Sequence, residues 1–310
     1  MKAQQQVQPE RSASPGRQVT SNPSLEASNS LGRNMSPLSA AELLRGPVSD
    51  TAKNPDVTKD DKGKYNYQEV KGTAFARGKG DRTSVAANDT EQNYLGDCYL
   101  IAAMGAVARA QPSAIKELIK DNKDGTYNVS LWVPKSKWSQ TRVKTTVTVD
   151  SQFPTSAAGA PAYAGKGDTG SKGPELWPML LEKAYAIYMG SYGNIEGGYS
   201  SDSMEMLTNK ENQGYDSPDL ADDKVMELIA GALKTKKPIT AEVTDESTWS
   251  DTDKKDAEKY GIVGNHVYAP SKANAKGKTI DLQNPWGVNH ITALPVKVFK
   301  RFFTLFNIVG

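Results

Sequence analysis

Residues 91–105 read EQNYLGDCYLIAAMG, and they hold the only cysteine in a chain of 310 residues. A lone thiol is by default a small buried hydrophobe. This one follows Gly96-Asp97 and heads an apolar run in which Leu100, Ile101, Met104, Val107 and Ala108 recur at helical spacing. The pattern places Cys98 at a helix N-terminus, with Asp97 as a natural cap and Gly96 permitting close backbone approach. Such a position favours an anion, so it predicts a thiol pKa below the free value of about 8.5. Gln92, six residues upstream, can aim an amide N–H at the same point. With the Cys98 backbone N–H it would form an oxyanion hole.

A thiol nucleophile needs a base, and the chain has two histidines. His266 lies in GIVGNHVYAP, a strand-like run, and His290 in the loop-like WGVNHIT. Asn284 follows His266 by 18 residues in DLQNPWG. Its amide can bond an imidazole and hold the tautomer, with Trp286 covering that bond from water. Cysteine, histidine and asparagine in that chain order, with glutamine ahead of the cysteine, form the papain-like arrangement.

The rest of the chain sets bounds. Hydrophobic residues at 37% and charged residues at 24% fit a globular body. A net charge of +2 gives no electrostatic case for nucleic acid. One cysteine cannot close an intramolecular disulfide, which agrees with a reducing compartment. No apolar run approaches about 20 residues, so no membrane span is expected. The start lacks the apolar core of a secretory signal, so the expectation is an intracellular, cytoplasmic protein or export by a non-Sec route. Residues 1–62 are rich in Ser, Pro and Gln and read as a disordered tail, with one short helix over 36–46.

From residue 63 onward the pattern is helix-rich, then strand-rich. Helices are expected over 98–110, 174–190 and 222–237, a turn leading into an alternating strand over 121–133, and strands over 142–150 and in three short runs after 237. The second helix should bury Leu176, Met179, Leu180, Ala184 and Ile187. GKGDTGSKG (165–173) lacks the Gly-Lys-Ser/Thr end of a phosphate loop, and DNKDG (121–125) has Lys123 at a ligand position, so both read as loops. The carboxy-terminal VKVFKRFFTLFNIVG reads as core packing that ends in a last strand.

Four ordered blocks, QNYLGDCYLIAAMGAVA, PELWPMLLEKAYAIYMGSYGNIEGG, GNHVYAP and IDLQNPWG, resemble those of the calpain family of papain-like cysteine proteases. Tyr99 stands where the family form has tryptophan, and Asn265-His266-Val267-Tyr268 stands for Gly-His-Ala-Tyr. The resemblance implies an α+β papain-like fold of two lobes. A helical lobe (63–210) would carry Cys98, and an antiparallel β-barrel lobe (211–310) would carry His266 and Asn284. It implies a cysteine endopeptidase acting on protein or peptide substrates. In it Cys98 is nucleophile, His266 base, Asn284 orienting residue, Gln92 oxyanion donor and Trp286 shield. No organic cofactor is implied. Calcium is implied as a candidate, with Asp89 and Glu175 at the family's first-lobe positions. At the second-lobe position His290 replaces a glutamate, and the acidic stretch 245–258 reads as a solvated charge run. A transglutaminase-like acyltransferase is the alternative enzyme, disfavoured by Asn284 in place of aspartate and by Gln92. A catalytically silent binding module is the third reading.

Overall fold

The computed structural model describes residues 53–78, 83–136, 139, 141–165, 167, 169–170 and 173–310. The expected disorder of the tail before residue 53 and the helix over 36–46 lie outside them. Residues 53–62, which composition groups with that tail, pack onto the body. Thr58 is buried and donates its N–H to Tyr163 Oη at 3.2 Å, and Tyr192 donates its N–H to Asp56 O at 3.0 Å. Backbone groups make these bonds, so composition carries no trace of them.

A short strand, β1 (Asn66–Glu69), precedes the central helix α1 (Cys98–Ala110). Every α1 residue from Tyr99 to Ala108 is buried. A helix that is apolar all round belongs in the middle of a core, and α1 is there. It begins where Leu100 and Ile101 donate their N–H groups to Asp97 O at 2.9 and 3.2 Å. Pro112 then opens α2 (Pro112–Leu118) at its first position, where its missing N–H costs nothing.

Three antiparallel strands follow: β2 (Ile119–Asp121), β3 (Thr126–Pro134) and β4 (Arg142–Asp150). β3 alternates as its sequence predicts, burying Tyr127, Val129, Leu131 and Val133. β5 (Gln152–Thr155) pairs with β1, and a small β6–β7 ladder (Thr169–Gly170, Gly173–Pro174) leads to α3 (Trp177–Met189). Leu176, just ahead of α3, and Met179, Leu180 and Ala184 within it are buried as expected, whereas Ile187 is only half-buried. The helix stops at Gly190, whose φ of +95° suits glycine alone among common residues. α4 (Ser200–Thr208) is buried although its sequence, SSDSMEMLT, is largely polar. It is wedged between the two cores, and its polarity hides it from a periodicity search.

The second core holds β8 (Asn212–Asp216), α5 (Asp222–Lys234), β9 (Ile239–Val243), α6 (Asp251–Tyr260), β10 (Val267–Asn274), β11 (Thr279–Gln283), β12 (Ile291–Pro295), α7 (Val296–Phe302) and β13 (Phe303–Val309). Its six strands form one antiparallel sheet in the order β12-β11-β10-β9-β13-β8. The expected closed barrel is not present among the described residues, because β12 and β8 are opposite edges of an open sheet. α5 and α7 pack against the sheet and bury its apolar residues, so burial does not require closure. Phe299, Phe302, Phe303 and Phe306 are all buried there, as the carboxy-terminal sequence predicts. The stretch 245–258 faces solvent, as read, and part of it is an ordered helix. Ser250 and Asp253 form a capping box that starts α6.

The fold is thus mixed α+β, with seven α-helices and antiparallel sheets among the described residues. The two hydrophobic clusters meet along β10, whose Val267 and Ala269 join the first cluster while Tyr268 joins the second.

One glycine is required by packing at this junction. A Cβ on Gly198 would lie 2.5 Å from Cζ of Tyr99, whose buried ring is held by its Oη donating to Ile195 O at 3.1 Å. Gly198→Ala is expected to destabilise the fold by about 1–3 kcal/mol in urea unfolding. Gly96→Ala, whose Cβ would meet nothing closer than 3.8 Å, is expected to stay within about 0.5 kcal/mol of the parent.

Candidate active site

His266 stands immediately before β10, and Asn284 immediately after β11. These strands form an antiparallel hairpin with Ala269 opposite Gln283, so its open end brings the two residues together. His266 Nε2 lies 2.9 Å from Asn284 Oδ1. An amide oxygen can only accept, so Nε2 carries the hydrogen and Nδ1 keeps the lone pair. Asn284 Oδ1 also accepts the Trp286 N–H at 3.1 Å, which fixes the amide's direction. The Trp286 ring is tilted against the imidazole at 4.8 Å, and the Tyr268 ring meets it edge-on at 4.9 Å. Both His266 and Asn284 are buried.

Cys98 is the first residue of α1 and keeps partial surface exposure. Its sulfur accepts the backbone N–H of Val267, the residue next to His266. The thiol therefore lies beside the backbone of the residue that follows His266. The pKa differs from the sequence expectation. Burial pushes the thiol up to about 12, and the charges of Asp97 and Glu242 act in the same direction. The N–H groups of Val267 and Tyr99 pull it down, as a helix start should, but desolvation outweighs them. Asp97 makes no side-chain cap bond either; its carboxyl is buried.

Gln92 is buried beside this turn. Its Nε2 donates to Leu95 O at 2.7 Å, which engages one of its two amide hydrogens. Its backbone N–H donates to Pro285 O at 2.8 Å, joining the segment ahead of Cys98 to the Asn-Pro-Trp segment. Gly96 makes no close approach through its α-carbon, contrary to expectation. Its contribution is its carbonyl, which accepts the Gly197 N–H at 2.9 Å. His290 sits on the far side of the asparagine and accepts the Asn284 N–H on Nδ1 at 3.1 Å. Burial, then the Arg109 charge, hold its pKa below the usual histidine value.

Asp89 and Glu175 are both buried, and both flank Gly167, where an added Cβ would come within 3.0 Å of Asp89 Cβ and 3.2 Å of Glu175 Oε2. Asp89 Oδ2 accepts the Ala86 N–H at 2.6 Å and the Trp177 indole N–H at 3.1 Å, and Glu175 Oε1 accepts the Ala76 N–H at 2.5 Å. Both residues pack against Gly167, and carboxylates are the oxygen donors a hard cation takes. Among the described residues no group of three or more His, Cys, Asp or Glu gathers as a metal cage. Further oxygens for such a cation would have to be backbone carbonyls.

Two further side chains beside the site carry no local sequence signal. Gln283 Nε2 donates to Ala87 O at 2.5 Å while its Oε1 accepts from Arg109 of α1. Glu242, opposite Val267 on β9, accepts from Ser200 Oγ at 2.8 Å and from Asn307 Nδ2 at 3.1 Å. Their partners lie far away in the chain, so only the adjacency of Gln283 to Asn284 could have flagged either.

Comparison with known proteins follows the same residues. A family model described as calpain family cysteine protease matches residues 80–293. Similar proteins include the maize calpain-type cysteine protease DEK1, 31% identical over 66% of this chain and 9% of that protein. Human Calpain-9 is 26% identical over 70% of this chain and 30% of its own length. The chicken Calpain-2 catalytic subunit is 27% identical over 69% of this chain and 29% of its own length. The chain thus spans less than a third of each of these relatives. A match that covers most of the chain and takes in Asp89, Cys98, His266 and Asn284 alike places the chain in the calpain family of cysteine proteases.

Proposed function

We propose that the chain is a cysteine endopeptidase, with its two cores acting as the lobes of a papain-like cleft. The observation that carries this is the His266–Asn284 bond at 2.9 Å under Trp286, with the Cys98 sulfur beside the backbone of the next residue, Val267. A thiol pushed up by burial remains protonated in the resting site, so a base must take its proton as it attacks. His266 Nδ1 is that base. The sulfur adds to the peptide carbonyl carbon, and the carbonyl oxygen becomes an oxyanion facing the Cys98 N–H and the second Gln92 Nε2 hydrogen. His266 then protonates the departing amine, which leaves a thioester on Cys98. A water, deprotonated by His266, hydrolyses the thioester and returns the thiol. Asn284 keeps the ring in the one tautomer that can do this throughout.

The surface supports a peptide ligand. The large hydrophobic side chains exposed among the described residues are Tyr94, Tyr199 and Val288. All three lie on segments that carry the site: between Gln92 and Cys98, next to Gly198, and just past Trp286. Calcium, when bound, would supply a charge that draws the segments of Asp89 and Glu175 together. Those two carboxylates would hold it in the first core.

Cys98→Ala is expected to lower protein cleavage by about 10⁴-fold or more in a folded variant, and His266→Ala comparably. Asn284→Ala is expected to cost on the order of 10²-fold, because it orients a proton-transfer group without transferring the proton. His290→Ala is expected to cost less than about tenfold, since its role is one hydrogen bond to the Asn284 backbone. A casein-cleavage assay beside an amine-incorporation assay checks the series. Amine incorporation without cleavage would establish the acyltransferase instead, and inactivity in both assays the silent module.

Calcium titration is expected to raise wild-type activity, with Asp89→Asn needing at least about tenfold more calcium for half-maximal effect. Full activity in excess chelator would remove calcium from the mechanism.

A further inference from the structure

We propose that the Glu242 carboxylate forms a subsite for a cationic substrate side chain, a lysine or arginine close to the cleaved bond. This role rests on the peptidase reading, and the paired experiments below tell its failure from the failure of that reading.

Glu242 stands on β9 opposite Val267, the residue after His266. The next residue of β9, Val243, donates its N–H to His266 O at 2.9 Å. Alternation along β9 turns Ala241 and Val243 into the second core, where both are buried. Thr240 and Glu242 face the other way, toward Ser200 at the start of α4. On that side Val267 and Cys98 pack in the first core, and α1 lies across both β10 and β9. The carboxylate thus shares the sheet face that meets the helix of the thiol. Glu242 keeps partial exposure, as Cys98 does.

Among the described residues the hydrogen-bond partners of this carboxylate are donors. Ser200 Oγ donates to Oε1 at 2.8 Å, and Asn307 Nδ2 donates to the same oxygen at 3.1 Å. Ser200 has one hydroxyl hydrogen, so its 2.7 Å contact with Thr240 runs from Thr240 to Ser200. Asn212 Nδ2 in turn donates to Asn307 Oδ1 at 3.1 Å. Two relays therefore end on one oxygen, an arrangement that holds an anion. Burial works to raise the pKa of this carboxyl, and the donors work to lower it.

The chain supplies no cation to complete the pair. Glu205 of α4 is matched by Arg142, but Glu242 takes part in no ion pair among the described residues. A half-buried carboxylate without a counter-charge is costly, and a bound cation offsets that cost. The exposed Tyr199 immediately precedes Ser200 and offers apolar surface to the long stem of a lysine or arginine. Neighbouring strands lie about 4.8 Å apart and an extended peptide advances about 3.4 Å per residue. The cation therefore belongs within about two residues of the attacked carbonyl.

Peptide pairs that carry arginine or its uncharged isostere citrulline at each of these positions test the subsite. At one position the wild-type kcat/KM is expected to favour arginine by at least about tenfold, and Glu242→Gln to bring that ratio near one. Glutamine keeps an oxygen for Ser200 and Asn307, so the variant is expected to fold, and the ratio cancels any general change in thiol reactivity. Wild-type ratios near one at every position overturn the subsite without any variant. A preference that survives in Glu242→Gln overturns it too.

If no peptide is cleaved, the peptidase reading fails, and the carboxylate is read instead through the only cysteine. Cys98 is labelled with trimethylammonium-ethyl and sulfonato-ethyl methanethiosulfonates, one cationic and one anionic. Their rate ratio, cationic over anionic, is expected to fall by about threefold or more in Glu242→Gln at low salt. An unchanged ratio overturns Glu242 as the recognising charge.

Discussion

Strand β10 is shared between two cores, and the site depends on that sharing. Val267 and Ala269 face the cluster built around α1, while Tyr268 faces the cluster under α5 and α7. Alternation along a strand makes this possible, since successive side chains point to opposite faces. The residue before β10 is His266, and the N–H after it reaches the Cys98 sulfur. A strand anchored on both faces has no freedom to slide by a residue, because a slip would exchange its two apolar sets. The spacing between thiol and imidazole is therefore fixed by hydrophobic packing, and the polar bonds refine it.

Much of this was legible in the sequence. The helix over 98–110, the alternating strand that ends near residue 133 and the phenylalanine-rich end all have strong periodicity, and all appear where it puts them. Cys98, His266 and Asn284 each sit in a distinctive word, and the structure brings His266 and Asn284 together. What failed depended on distance in the chain. The sheet's open edges follow from how helices cover it, which no local window encodes. α4 and α6 are polar segments whose helicity comes from packing and from a capping box respectively. Asp97 looked like a cap by position, but its buried carboxyl makes no cap bond.

Charged groups in the first core are managed by pairing. Lys183 has no exposed side-chain surface and is matched by Asp150 with backbone oxygens around it. Glu175 and Asp89 are satisfied in part by N–H donors. Each such group would be costly if left alone in an apolar interior, and each ties two segments that are remote in the chain. The polar content of the first core thus fixes which segments meet, whereas the apolar content fixes that they meet at all.

Gln283 adds a second fixed point to the junction. One contact, the Val267 N–H on the Cys98 sulfur, sets a distance but leaves an angle open. The Gln283 side chain grips both Ala87 O and Arg109, at the far end of the same helix that begins with the cysteine. Two clamps spread along one rod suppress rotation about either. Asn284 inherits its orientation from the helix that carries the thiol, and not only from the sheet that carries the histidine. The junction is held at two points along one rod, and a rotation that carried the imidazole away from the sulfur would have to break both.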